Sequence, residues 1–279
     1  VVDMRNPIVL SRNLDTVIKP PLVDAPRVRE AVDRAHRKLQ MTLTTLYPGS
    51  LVLSLSAATL HRRLVGRIAA CNGVSVIPTQ PRVLGECICV PFGKILRGAV
   101  VPNTVTKTLH TDKVYETDLS SYSIEAFTGY SPLEYQVKTI RAFRRPVILV
   151  DDMLHDGKRA RRVIPLLRQE NTPIRQVLVG YLTGMGRDIM QQMDCPVDSG
   201  YYLPNLRMRF VESTLYPFIG GDTVRRGELP SGLRPAVNRI FPYAAPDYTE
   251  DCADGSTLSL SRCCLENARD ILLALAAEY

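Results

Sequence analysis

Apolar residues recur at helical spacing at Val28, Val32, Ala35, Leu39, Leu43 and Leu46, with Arg and Lys between them, and predict a helix over 26–47. Ahead of it, residues 1–24 hold little periodicity and the turn formers Asn6-Pro7 and Pro20-Pro21, which predicts an arm or an entry strand. Tyr47-Pro48-Gly49 stops the helix, and 51–55 (LVLSL) is a short β-type run. Ser56 is placed to cap a second helix with Leu60, Leu64, Ile68 and Cys71 on one face, closed by Asn72-Gly73. Arg62, Arg63 and Arg67 fall opposite that face, where solvent is expected.

A further β-type run at 86–90 leads into residues 91–121, which hold turn formers and charges but no sustained period. Connections of this length inside a compact domain tend to be functional. After a strand predicted over 122–127, Ser131-Pro132-Leu133-Glu134 reads as a capping box with Pro at the first helical position, and Leu133, Val137, Ile140 and Phe143 mark one helical face. The continuous apolar run 146–150 has the character of a strand covered on both faces and ends in Asp151-Asp152. A helix with Ala160, Val163, Ile164 and Leu167 follows, which Pro165 should kink or shorten. Then come a buried strand at 177–182, a turn at Thr183-Gly184-Met185-Gly186, a helix near 187–194 and a strand over 206–211. Residues 220–260 are rich in Gly, Pro and Asp, and a last helix carries Ala268, Ile271, Leu272 and Leu275. Strands alternating with helices predict an α/β protein with a mainly parallel central sheet flanked by helices. The divisions expected are an N-terminal arm (1–24), an α/β core (25–215) and a loop-rich cap with the C-terminal helix (216–279).

Composition narrows the class. The 279 residues are 45% hydrophobic and 23% charged, a globular mixture, and no run of apolar residues is long enough to span a membrane. Lys and Arg number 35 against 28 Asp and Glu, a net charge of +7 that favours an anionic partner. The seven cysteines (Cys71, Cys87, Cys89, Cys195, Cys252, Cys263, Cys264) are odd in number and hold no C-x-x-C pair, which argues against a disulfide framework and a zinc ribbon and for a reducing, cytoplasmic setting. Cys252, Cys263 and Cys264 with Asp251 and Asp254 match no zinc spacing. The chain begins with Val, which suggests one domain of a longer protein.

The strongest chemical signal is Val147-Ile148-Leu149-Val150-Asp151-Asp152-Met153-Leu154-His155-Asp156-Gly157-Lys158-Arg159. Two adjacent carboxylates at the end of a buried strand are costly unless they accept hydrogen bonds or help hold a cation. The helix start beyond the glycine offers free N–H groups and a positive dipole end, suited to a phosphate. Carboxylates for ribose hydroxyls beside amides for a phosphate would make a ribose 5-phosphate site. The bland alternative is a pair of solvated turn acids that cap the next helix, with Lys158, Arg161 and Arg162 as exposed helix surface.

This segment resembles the phosphoribosyl pyrophosphate (PRPP) binding loop of type I phosphoribosyltransferases, in which an apolar strand precedes two acids, a short loop, a glycine and a hydroxyl residue. The resemblance spans residues 26–212 and implies a phosphoribosyltransferase-like fold, in which Asp151 and Asp152 hold the ribose hydroxyls and Mg²⁺, and Asp156, Gly157, Lys158 and Arg159 wrap the 5′-phosphate. It sets Ser56 and Ala57 where the family has its pyrophosphate loop, without the glycines found there. It places 91–121 as the family's flexible loop, with Lys94, Arg97, Lys107, His110 and Lys113 as its cations and Lys107 joining the acids in catalysis, and it puts Thr183 and Gly184 where the family contacts its nucleobase. Asp156 stands where the family has Thr, and Arg159 stands at the hydroxyl position, from which it could offset the charge of Asp156.

Three functions remain open. One is an enzyme that transfers phosphoribose from Mg²⁺-PRPP to or from a nitrogenous base. The second is a non-catalytic domain that senses PRPP or a nucleotide inside a larger nucleotidyltransferase-type protein, as a homo-oligomer or fused to another domain. The third is a basic nucleic-acid-binding protein, for which the interleaved aromatics or a recognition helix are missing.

Overall fold

The computed structural model describes residues 3–96, 99–115, 121–219, 225–226 and 256–278. The chain runs β1 (Asp3–Arg12), α1 (Leu14–Val17), a short 3₁₀ turn (Leu22–Asp24), α2 (Pro26–Leu46), β2 (Ser50–Ser56) and α3 (Ala57–Cys71). There follow β3 (Ile88–Pro91), β4 (Val105–Thr106), β5 (Thr111–Tyr115), β6 (Tyr122–Ala126), α4 (Leu133–Arg141), β7 (Val147–Leu154) and α5 (Lys158–Gln169). The last elements are β8 (Ile174–Leu182), α6 (Gly184–Gln192), β9 (Val197–Tyr202), β10 (Met208–Val211), α7 (Glu212–Leu215), β11 (Arg225–Arg226) and α8 (Ser256–Ala276).

The chain forms two compact units. The first draws on the described parts of Val1–Thr59, Asn205–Val224 and Pro235–Tyr279. Its sheet has the order β10-β1-β2, with both pairings parallel. The segment expected to be an arm is therefore the central strand, with Ile8 and Leu10 packed in a core with Val28, Leu39 and Leu43 of α2, Phe210 of β10 and Ile271 of α8. Pro7 hides the strand in the sequence: it lacks an N–H, and the pairing of β1 with β2 shifts register between Asp3 and Ile8. The C-terminal helix, grouped above with a loop-rich cap, belongs to this unit's core, while 227–255 lie outside the described residues. The strand 51–55 also belongs here and pairs with β1.

The second unit draws on the described parts of Leu60–Pro204 and Arg225–Arg234. Its main sheet is parallel throughout, in the order β4-β3-β7-β8-β9, with β7 in the middle. Alternate residues serve opposite faces. Val90, Leu149 and Val177 pack with Val137 of α4, Val163 and Leu167 of α5 and Met190 of α6, whereas Cys89, Ile148, Val150 and Leu178 pack with Leu64 and Ile68 of α3. Burial on both faces is the reason the β7 sequence is continuously apolar. Gly180 and Gly200 let α3 approach: a Cβ at either would stand within 2.9 Å of a Leu60 methyl. β9 escapes the sequence pattern because it is an edge strand of Val, Asp, Ser, Gly and Tyr. Arg62, Arg63 and Arg67 are exposed, as expected, and two of them meet β9 at the surface: Arg63 lies 4.3 Å from the Tyr201 ring centroid and Arg67 pairs with Asp198.

Four local expectations shift. Residues 91–121 are no open loop over their described length, because Lys107 N–H donates to Cys89 O at 2.9 Å, Leu109 N–H to Pro91 O at 2.9 Å and the Thr111 hydroxyl to Phe92 O at 2.5 Å, before β5 and β6 pair antiparallel. Pro132 occupies the N-cap of α4 and no side chain caps that end, so the capping box does not form; Gln136 Nε2 donates to Ser131 O instead. α5 runs through Pro165 to Gln169 because Val163, Ile164, Leu166 and Leu167 hold it in the core. α6 starts at Gly184, so the glycines lie in its first turn, capped by the Thr183 hydroxyl.

Candidate functional site

β7 carries Asp151 and Asp152, and its pairing with β8 continues past them to Leu154, so the acids lie within the strand rather than at its end. Beside them, β3 stops at Pro91, and Phe92 N–H donates to Val150 O at 2.9 Å. The chain after β3 then folds onto the acids. Lys94 N–H donates to Asp152 Oδ2 at 3.1 Å and Ile95 N–H donates to Asp152 Oδ1, so one carboxylate caps two successive amides. Gly93 lies against Asp151 so closely that a Cβ there would overlap Asp151 Oδ1.

Asp151 is 2% exposed. Its Oδ1 accepts from Asp152 N–H at 2.7 Å and pairs with Nη1 of Arg159. Burial raises its carboxyl to about 6; the Arg159 guanidinium lowers it, the neighbouring Asp152 charge raises it, and the Asp152 amide lowers it. Arg159 comes from the first turn of α5, behind Gly157 at φ +68°. Glycine is required there twice over, by the left-handed backbone and by Ile189, whose Cγ2 a Cβ would meet at 2.9 Å. Nε of Arg159 is buried and has no hydrogen-bond partner among the described residues.

Arg159 therefore does not sit on Asp156, as its position in the loop suggested, because the more deeply buried Asp151 takes its charge. Asp156 instead accepts from Lys158 N–H at 3.2 Å and from the Tyr122 hydroxyl at 3.2 Å. The Tyr122 ring lies under two ammonium groups, Lys158 Nζ at 4.1 Å and Lys113 Nζ at 4.4 Å from its centroid. His155 Nδ1 is 3.1 Å from Thr183 Oγ1, and burial lowers its pKa. Thr183 is buried, with its hydroxyl committed to Gly186 N–H and Leu154 O, and Gly184 N–H donates to Pro204 O.

The structure thus gathers Asp151, Asp152, the Lys94 backbone, Asp156, Gly157, Lys158 and Arg159 about the β7–α5 connection. Lys107 is exposed on the edge of the sheet, bonded to Cys89 and short of the level of the acids. Ser56 and Ala57 belong to the first unit, where Ser56 Oγ accepts from Thr59 N–H at 3.4 Å at the start of α3. Arg97 lies outside the described residues. Of the other loop cations, His110 stacks on Tyr130 at 3.7 Å and its N–H is held by Gln136. Sequence reasoning passed over Gly93, Ile95 and Tyr122. The pair Gly93-Lys94 directly after an apolar run was the available signal for the first two.

Whether this donor set suits Mg²⁺ is decided by its partners. Arg159 cancels one of the two negative charges, which halves the Coulomb attraction for a dication, and both oxygens of Asp152 already accept amides. Among the described residues no three His, Cys, Asp or Glu side chains converge as a metal-ligand group. The residues present do not fit a metal held on Asp151 and Asp152. The same described residues hold no helix long and apolar enough to cross a membrane. The chain matches no protein-family model and no curated protein sequence.

Proposed function

We propose that the chain binds a phosphoribosyl compound, PRPP or a nucleotide 5′-phosphate, at the β7–α5 connection of a phosphoribosyltransferase-like unit. One observation carries this reading: adjacent carboxylates on the middle strand of a parallel sheet lead through a left-handed glycine into the amino end of a helix. Ribose hydroxyls donate to carboxylate oxygens, and the phosphate competes with Asp156 for the N–H groups at the start of α5, aided by the charges of Lys158 and Arg159. Transfer of phosphoribose to a base would draw on positioning and on these fixed charges.

A non-catalytic sensor of the same ligand is favoured by a specific feature. The chain's own groups already occupy the cradle, with Arg159 on Asp151 and Asp156 on the Lys158 amide, so ligand entry means exchange of partners. Calorimetry with PRPP tests both readings. The expected result is saturable binding that Asp151→Asn with Asp152→Asn abolishes; a double mutant that binds as the wild type does would remove the site from this connection. Pyrophosphate release from PRPP, measured against purine, pyrimidine and pyridine bases, then separates the enzyme from the sensor. Silence across the panel with binding intact marks the sensor.

A further inference from the structure

We infer that Arg159 is the resident cation of this site: its guanidinium stands on Asp151 in place of a divalent metal, so the Asp151–Asp152 pair takes its ligand without a metal held by the protein. The ligand half of this statement rests on the phosphoribosyl reading above, and the metal half does not.

A carboxylate as buried as Asp151 requires a counter-charge, and a side chain from the next helix supplies it. A guanidinium is charged at every accessible pH and is the cation that best tolerates partial desolvation. Arg159 is held in place from two directions. Gly157 fixes the first turn of α5 behind it, and its own side chain is only 16% exposed. Asp152 is satisfied independently by the amides of Lys94 and Ile95, so neither acid depends on a metal for its partners. The proximity of both acids keeps Arg159 protonated despite its burial. The Nε–H of Arg159, buried without a partner among the described residues, is a donor that the exchange of partners on ligand entry would free for an oxygen of the ligand. One group thus neutralises the acid pair and offers a charge-assisted bond to an anion, two tasks that a metal performs elsewhere.

Mn²⁺, observed by electron paramagnetic resonance, tests the metal half on the full chain with no ligand present. The wild type is expected to bind no Mn²⁺, Arg159→Lys to behave likewise, and Arg159→Thr to gain binding at least tenfold tighter, which Asp151→Asn removes again. Wild-type binding of Mn²⁺ that disappears in Asp152→Asn would overturn the inference. So would an Arg159→Thr protein that retains the wild-type circular dichroism spectrum yet stays silent. Should Arg159→Thr fail to fold, the wild type and Arg159→Lys still decide the matter. For the ligand half, ribose 5-phosphate is titrated with Mg²⁺ and with a chelator: affinities within twofold support the inference, and a tenfold loss with chelator refutes it. Absence of ribose 5-phosphate binding under both conditions rejects the phosphoribosyl reading and leaves the Mn²⁺ result standing.

Discussion

Gly93 has no freedom to carry a side chain, because the space a Cβ would need is filled by the carboxylate of Asp151. Gly93→Ala must displace the loop or the Asp151–Arg159 pair, and the expected cost is about 1–3 kcal/mol, the range for overpacking a filled site. Gly66, within α3, meets nothing within 4 Å of a Cβ and has no positive φ. Gly66→Ala should stabilise by about 0.5–1 kcal/mol through helix propensity. Urea midpoints of the two variants against wild type check both signs, and equal shifts would refute the packing assigned to Gly93. At this scale the adjacency of two acids was legible, since it lies in the chain itself. Their partners were not: Asp152 meets amides 57 and 58 positions away, and Arg159 is near enough in sequence to serve either Asp151 or Asp156.

At the scale of elements, the 3.6-residue pattern over 26–47 corresponds to α2 (Pro26–Leu46) almost to the residue, because amphipathicity and a proline at the start are both local. How α2 is bound to α8 is not local. Tyr216, fully buried, shares its hydroxyl proton between Glu212 Oε1 at 3.2 Å and Ala35 O at 3.3 Å and accepts from Asn267 Nδ2 at 3.1 Å. Asn267 also donates to Ala35 O at 2.9 Å, and His36 Nε2 lies 2.8 Å from Ser54 Oγ. Burial pushes the Tyr216 phenol far up, so it remains a neutral donor. Tyr216→Phe leaves buried Glu212 and Asn267 each short of a partner, with an expected cost of about 1–3 kcal/mol. Hydrogen exchange should show the α8 amides losing protection before those of β7. Unchanged exchange in α8 would mean that apolar packing alone holds the helix. No periodicity in residues 212–219 announced this network, whose members come from α2, α7, α8 and the turn after α7. After α7, Tyr216 is in the core, whereas Phe218 stands exposed.

For the molecule as a whole, the net charge of +7 already counts both partners of every ion pair, so tracing the pairs shows which cations stand beside an acid and leaves the excess unchanged. Arg34, Arg67, Arg141, Arg159 and Arg162 are matched to Glu30, Asp198, Glu170, Asp151 and Glu134. Apart from the buried Arg159–Asp151 pair, these are exposed pairs that add little stability, and each cancels locally while the net excess remains. With no interleaved aromatics or recognition helix in the sequence, the excess acts only as a diffuse field, so binding to single-stranded or duplex nucleic acid, followed by fluorescence polarisation, should be weak and fall steeply between about 50 and 200 mM salt, whereas PRPP binding should change much less. A nucleic-acid affinity that survives the higher salt would revive the third reading. Periodicity, turn residues and the run of apolar positions ending in two acids sufficed for an α/β class, for most helices and for the two adjacent acids ahead of a helix start, since each signal lies within a few neighbouring residues. Strand partnership did not follow from them. β1 became a sheet centre, β2 joined it, and β3 delivered Gly93 and its neighbours to the acids. The occupancy of the cradle by Arg159 and Asp156 belongs to the same category. Pairing and charge compensation arise between groups distant in the chain or equivalent in sequence, and the burial that selects among them exists only once the chain has folded.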